Sequence, residues 1–238
     1  MATEKGIGDS GIATRRKHFS AVLNKFVTDK LIKENPCKDV PKPKEKSKTV
    51  FLTSKEIENI RNADLKLGNL TKGLELTRKL FLFSCYTGLR FSDVMNLKKE
   101  NIVDSDNVNN STKIVDLKKI VLEMKKTKEK VEIPLYPEAF KILVKFKMKD
   151  KKPKDFIFDK RENVSVNRDL KMIAKVAKID KTVTFHVGRH SFGSMLAKNG
   201  VQPFYIMKLM GHQDIRMTER YVNSDEEILT NVMKNVKF

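Results

Sequence analysis

Between Asn35 and Lys48 the chain reads NPCKDVPKPKEKSK, three prolines and five lysines with almost nothing to bury. Proline fixes its own φ, lacks a backbone donor and pushes the preceding residue out of helical geometry, so no helix or central strand runs through this stretch. An extended, solvated linker is expected over residues 36–49. It divides the chain unequally. Before it, from about Thr14 to Lys33, Phe19, Val22, Leu23, Phe26, Val27 and Leu31 recur near 3.6-residue spacing, which predicts one amphipathic helix. A lone helix cannot bury its own apolar face, so this one is expected to belong to another domain or to dock on a partner. After it, residues 50–238 must build the core, and 39% hydrophobic residues in 238 suffice for one large domain with an appendage.

Helical periodicity dominates that larger part. LTSKEI predicts a helix start with Thr53 as N-cap and Glu56 closing a capping box. A second helix is expected from about Leu74 to Tyr86, stopped at TGLR where Gly88 can take the left-handed conformation. FSDVMNL predicts a short helix, PEAFKILVKFK and VNRDLKMIAKVAK two more, FHVGRHSFGSMLAKNG one ended by Gly200, and QPFYIMKLMG one ended by Gly211. Only from Lys113 to Leu135 does the period shift towards two, through Ile120, Leu122 and Met124 and then Val131, Ile133 and Leu135. That is a hairpin or small meander with a lysine-rich turn around KKTKEK. The expected fold is mainly α with a small antiparallel β-sheet.

Charge narrows the partner. Lys and Arg number 49 against 30 Asp and Glu, a formal net charge of +19. A phosphate backbone is the commonest partner for such a surface, by Coulomb attraction and counterion release. A ribosome-associated role, a membrane-surface role or a lysine-favouring genome would give the same excess. No apolar run approaches the length needed to span a bilayer, and MATEKGIGDSGIATRRK has no apolar stretch of a secretory signal. Cys37 and Cys85 form no CxxC, which argues against a zinc ribbon or a disulfide scaffold. A cytosolic protein without a membrane partner is expected.

In HVGRH, His186, Arg189 and His190 fall at i, i+3 and i+4, so one helical face can present all three. Two histidines four apart also resemble half of a zinc site, but no Glu follows the first and an arginine shares the face, so no metal is expected. A capping histidine beside an arginine bound to a core carboxylate is the bland reading. Anion binding fits better, since arginine offers a planar fork to two phosphate oxygens and histidine exchanges a proton near neutral pH. Arg90 follows a glycine turn at the end of an apolar helix, with Asp93 three residues on, so a second arginine is held by the core. There are no clustered carboxylates of the kind that two-metal nucleases need, which points to metal-free attack on a phosphodiester.

Arg90 in TGLRFSD, then HVGRH, LMGH and TERY, stand in the order and approximate spacing of the tyrosine recombinases, the integrases of phages and mobile elements together with the Xer-type resolving enzymes. The resemblance runs from about Val50 to the C-terminus, the family's catalytic domain, and the sequence is especially similar to integrases of bacterial integrative elements. The helix before the linker, residues 1–35, resembles the last helix of the core-DNA-binding domain that precedes it. An intact integrase begins with four or so such helices, so the chain is expected to be a truncated product or a fragment.

By that resemblance Tyr221 is the nucleophile, forming a 3′-phosphotyrosyl link and a free 5′-hydroxyl without ATP or cofactor. His186 takes the base role, Arg90 and Arg189 stabilise the developing charge, and His212 hydrogen-bonds the scissile phosphate. The general acid is a lysine of the hairpin turn. Lys126 matches the Lys-Thr pattern best and Lys125 comes next, with Lys125, Lys128 and Lys130 as DNA contacts. Lys128 stands where the family often has glycine, which leaves the turn type open. Asp93 fits the acidic position supporting the first arginine, and His190 a place beside His186. Tyr86, Tyr136 and Tyr205 sit in apolar patterns and are expected to be core or partly buried. After Tyr221, Ile228, Leu229, Val232, Met233 and Val236 lie at helical spacing, a tail helix that packs in cis or on a neighbouring protomer of a tetramer on double-stranded DNA. A type IB topoisomerase, which uses similar residues, and a DNA-binding fragment inactive by itself are the rival readings.

Overall fold

A computed structural model of the chain describes residues 9–41, 49–66, 68–105 and 118–222, in two units, residues 1–48 and residues 49–238. The expected tail helix, the start of the hairpin before Lys118 and residues 42–48 of the linker lie outside the described residues.

The first unit is built on α1 (Asp9–Thr28). It ends earlier than its apolar pattern because Lys30 takes a left-handed φ of 57° and the Leu31 N–H reaches back to the Phe26 carbonyl at 2.9 Å. The chain then folds back on the helix. Asn35, 3% exposed, donates from Nδ2 to the Ser20 carbonyl and Asn24 Oδ1, and Arg16 Nη2 donates to the Cys37 and Val40 carbonyls. Residues 35–40, read from sequence as the solvated start of the linker, are thus docked, because Arg16 of α1 satisfies two of their carbonyls and the Asn35 side chain bonds back to Ser20 and Asn24. Phe19, Val22 and Phe26 remain exposed.

The second unit is organised around α3 (Thr71–Thr87), which is apolar on nearly every side in its last three turns and is buried accordingly. Packed on it are α2 (Ser54–Asn62), α5 (Pro137–Lys145), α6 (Asn163–Val176) and α7 (Phe185–Lys198). The capping box of α2 forms as expected, with Glu56 N bonded to Thr53 Oγ1 and Thr53 N to Glu56 Oε2. The approach of α7 to α3 is close at Gly188, where a Cβ would lie 3.2–3.3 Å from Phe81, Ser84 and Cys85 side-chain atoms. Tyr86 is buried, but Tyr136 and Tyr205 are exposed. The expectation fails for these two because Tyr136 precedes the first turn of α5 and Tyr205 lies on the open side of the short α8 (Pro203–Met210).

The sheet is an antiparallel meander in the order β1 (Ile102–Asp104), β2 (Lys118–Glu123), β3 (Lys130–Pro134). Ile120, Val131 and Ile133 face the core while Lys119 and Glu132 pair on the other face at 3.0 Å. The strand β1 was invisible in sequence, since three residues cannot display a period. A short α4 (Phe91–Met95) and α9 (Arg216–Val222) complete the unit.

Candidate active site

Arg90 is aimed by backbone geometry on either side of it. Gly88 caps α3 at φ 69°, and its N–H bonds the Ser84 carbonyl at 2.8 Å. A Cβ there would sit 2.4 Å from the Phe192 ring, so close packing on α7 and the left-handed turn both require glycine. Arg90 follows in extended conformation as the N-cap of α4, half-buried, and its buried Nη1 has no hydrogen-bond partner among the described residues. Burial lowers its pKa, opposed by the nearby Asp93 carboxylate and Tyr221. Asp93 does not hydrogen-bond this arginine. It acts on Arg90 through charge, while its Oδ1 accepts the Lys125 N–H at 3.0 Å.

Arg189 lies deeper, 1% exposed on α7. Its Nη1 donates to the Gly88 carbonyl at 2.7 Å and its Nη2 to the Met210 carbonyl at 2.5 Å, so the ends of α3 and α8 both close on one guanidinium. Burial first, and the Arg90 charge second, push its pKa down to about 9, which leaves it protonated at neutral pH. Its fork carries five N–H donors, and these bonds occupy only part of that set.

At the end of α8, Gly211 turns left-handed at φ 58° and presents His212. His212 Nδ1 and Thr218 Oγ1 are 2.9 Å apart, which fixes the ring and leaves Nε2 for another partner. Asp214 Oδ1 accepts the Arg216 N–H at 2.9 Å where α9 begins, and that helix returns Tyr221 beneath His212 with the two rings nearly parallel, centroids 6.3 Å apart. The Tyr221 ring, 3% exposed, belongs to a small apolar cluster with Ala197, Ile206 and Met210 and lies against Gly193, where a Cβ would meet it at 2.9 Å. Its hydroxyl is 2.8 Å from His190 Nδ1. His190 in turn stands edge-on to His186, centroids 4.4 Å apart. In this structure His190 touches the tyrosine hydroxyl, and His186, the exposed member of the pair, stands beyond it.

The β2–β3 turn approaches from the other side. Lys125, Lys126, Lys128 and Lys130 are all exposed, and the Lys126 charge is among those that lower the His186 pKa, after burial and the two arginines. Lys128 adopts φ 61° and donates its N–H to the Met124 carbonyl, so the position takes the left-handed conformation that glycine would occupy without strain. The sequence reading did not single out Thr218, Gln213, Thr127 or Gly193. Thr218 was legible only as part of TERY and Thr127 only as the partner of Lys126 in the Lys-Thr pattern, while Gln213 and Gly193 carry no local signal.

Residues 50–227 match the phage integrase family over most of the chain. The chain belongs to that family. A tyrosine recombinase of Thermosipho africanus is 28% identical over 238 residues, covering 95% of this chain and 78% of the relative. XerD of Listeria monocytogenes serotype 4b is 31% identical over 160 residues, 62% of this chain, which spans half of the relative's length. In fold, the chain is similar to the Tn1549 transposon integrase solved with circular intermediate DNA (TM-score 0.68, 20% identity, 97% of this chain and 80% of that one). It is also similar to a lambda integrase dimer bound to a COC′ core site (TM-score 0.69, 19% identity, 90% and 59%). The relatives are named recombinases, so the topoisomerase reading is not favoured.

The electrostatics of this candidate site are one-sided. Burial and neighbouring cations hold His190 at a pKa of about 4 and His212 at about 3, both neutral at pH 7. Burial raises the Tyr221 pKa, against the pull of Arg189, Arg220 and Arg90. The result is a neutral phenol beside a neutral imidazole, facing two guanidiniums whose mutual repulsion an anion would relieve. Among the described residues no helix is long and apolar enough to cross a membrane.

Proposed function

We propose that this chain carries the catalytic domain of a site-specific DNA recombinase that cuts and rejoins strands through a 3′-phosphotyrosyl intermediate on Tyr221. The observation that supports it most is the convergence of a buried tyrosine with two core-held arginines, one of which keeps a buried donor unpaired. Arg90 and Arg189 stabilise the non-bridging oxygens as charge builds on phosphorus, and His212 donates from Nε2. His190 holds the Tyr221 hydroxyl. His186, next to it and exposed, accepts the phenolic proton once a phosphate draws the tyrosine forward. Lys126 protonates the departing 5′-oxygen. The phosphodiester energy is kept in the tyrosyl ester, so the rejoining step needs no nucleotide.

The partner is double-stranded DNA, a reading supported by the Tn1549 integrase solved with circular intermediate DNA and the lambda integrase dimer bound to a COC′ core site, and the working assembly on it is taken to be a tetramer. Residues 1–35 act as the end of a core-DNA-binding domain and residues 36–49 as its connection to the catalytic part. The exposed Phe19, Val22 and Phe26 of α1 support this, since such a face fits against neighbouring helices.

The test is a denaturing gel of the full chain with a pool of nicked duplexes whose short leaving fragment diffuses away. A protein–DNA adduct that persists in EDTA and disappears in Tyr221→Phe is expected. An adduct that survives Tyr221→Phe refutes the choice of nucleophile.

A further inference from the structure

Lys126 is exposed, and an exposed lysine with four rotatable bonds is a poor acid unless its backbone is fixed. Both of its chain neighbours are pinned. On one side the Lys125 N–H donates to Asp93 Oδ1 at 3.0 Å, and Asp93 lies in the first turn of α4, three residues after Arg90. On the other side Gln213 Nε2 donates to the Thr127 carbonyl at 3.0 Å, and Gln213 directly follows His212. Only the amide nitrogen of glutamine can donate to a carbonyl, so the orientation of this side chain is set by the contact itself. Thr127 Oγ1 adds a longer bond to the Gly211 carbonyl at 3.4 Å. The base of the hairpin is already flush on the same corner, since a Cβ on Gly211 would lie 2.8 Å from Val131 Cγ1 and 3.2 Å from Met124 Cγ.

We infer that Gln213 is a positioning residue for the leaving-group acid, latching the lysine turn to the corner that presents His212. This rests on the reading of Lys126 as that acid. Asp93 fixes the turn relative to the first arginine and Gln213 fixes it relative to the histidine that meets the phosphate. The side chain between them therefore starts from a defined Cα on the site's edge. In the step it serves, the Tyr221 oxygen bonds to phosphorus, the P–O5′ bond breaks, and the 5′-oxygen takes a proton from the Lys126 ammonium, which becomes a neutral amine. When the latch is cut, the turn keeps its strand pairing and its own Lys128-to-Met124 bond, but its tip is free to move away. The expected loss is about tenfold in the cleavage rate, less than the ~100-fold of a full ångström's misplacement because an exposed bond is partly replaced by water.

The decisive readout replaces the bridging 5′-oxygen by sulfur. A thiolate leaves without a proton, since thiol pKa values lie near 8.5 (far below that of an alcohol), so any defect that acts only through the acid vanishes. Single-turnover cleavage is measured for the full chain, Lys126→Ala and Gln213→Ala on a duplex selected from the cleavage pool, with 5′-O and 5′-S linkages. Hydrogen exchange at residues 124–129 is followed without DNA. Gln213→Ala should be about tenfold slow on oxygen, restored to the wild-type rate on sulfur, and faster in exchange at the turn while β2 and β3 stay protected. A Gln213→Ala defect that persists on sulfur, an unchanged rate on oxygen, or unchanged exchange at the turn overturns the inference. A Lys126→Ala defect that persists on sulfur instead overturns the assignment of Lys126; if Gln213→Ala is restored on sulfur in the same experiment, the acid is another group of the latched turn.

Discussion

Lys128 offers a clean test of whether the turn strain is real. Its φ of 61° places a β-carbon against its own carbonyl, a cost of roughly 1–2 kcal/mol for an L-residue. Lys128→Gly removes that cost and adds roughly 0.5–1 kcal/mol of unfolded-state entropy, leaving a net gain of about 0.5–1 kcal/mol. Among the described residues the ion pair lost is with Glu123 at 3.6 Å, both side chains mostly exposed, which contributes little. For a domain of this size the gain corresponds to a rise of about 1–4 °C in Tm. Lys128→Ala is the control: it loses the same charge and the same pair but keeps the β-carbon, so its Tm should stay level or fall slightly. Calorimetric or circular-dichroism melts of the two variants settle the matter. Equal Tm values for the glycine and alanine variants would falsify the strain argument. On DNA both should bind more weakly by the same factor, with a salt slope reduced by about 1, if Lys128 meets a phosphate.

Two further perturbations probe the buried charges. The histidines at about 4 and about 3 are neutral in the folded chain where an unfolded chain, with pKa near 6.5, takes up protons. Stability is therefore full above pH 6.5 and falls as pH drops towards 4, by an amount on the order of a few kcal/mol; Tm measured from pH 7.5 to 5 should decline, less steeply in His190→Gln, and a Tm that rises on acidification contradicts the assignment. The two arginines should behave oppositely when truncated. Arg90→Ala removes a buried unpaired donor and a repulsive charge, so it should leave Tm unchanged or higher while abolishing adduct formation. Arg189→Ala strands the Gly88 and Met210 carbonyls and should cost about 3–5 kcal/mol; a milder loss for Arg189→Ala than for Arg90→Ala in urea melts reverses their roles.

The sequence carried the helices and the site motifs well because each had a local cause. Thr53 and Glu56 cap α2 within four residues, Gly88 and Gly211 end helices through their own φ, and the apolar spacing of α3 reflects a helix buried on most sides. What it missed was tertiary. The docking of residues 35–40 on α1 depends on Arg16 and Asn35 finding carbonyls and side chains 11 to 24 residues away. The exposure of Tyr136 and Tyr205 depends on which elements fail to cover them. His190 was placed beside His186, but its contact with Tyr221 spans 31 residues and two helices, and no periodicity encodes it. Asp93 was read as supporting the arginine three residues before it, which it does through charge, while its hydrogen bond goes to the backbone of Lys125. Motifs singled out the candidate residues; only the packing says which of them touch.

Arg189 binds the Gly88 carbonyl, 101 residues away, and the Met210 carbonyl, 21 residues away. The same side chain that would steady a phosphate is thus a reporter of assembly. A nascent or partly unfolded chain lacks one or both carbonyls in place, so its guanidinium is neither oriented nor dehydrated and the tyrosine has no charged backing. Cutting ability then arises at the end of folding rather than gradually along it. In the proposed reaction this is a built-in safeguard, because a copy that has lost either carbonyl also loses the oriented guanidinium that would stabilise the cleavage step.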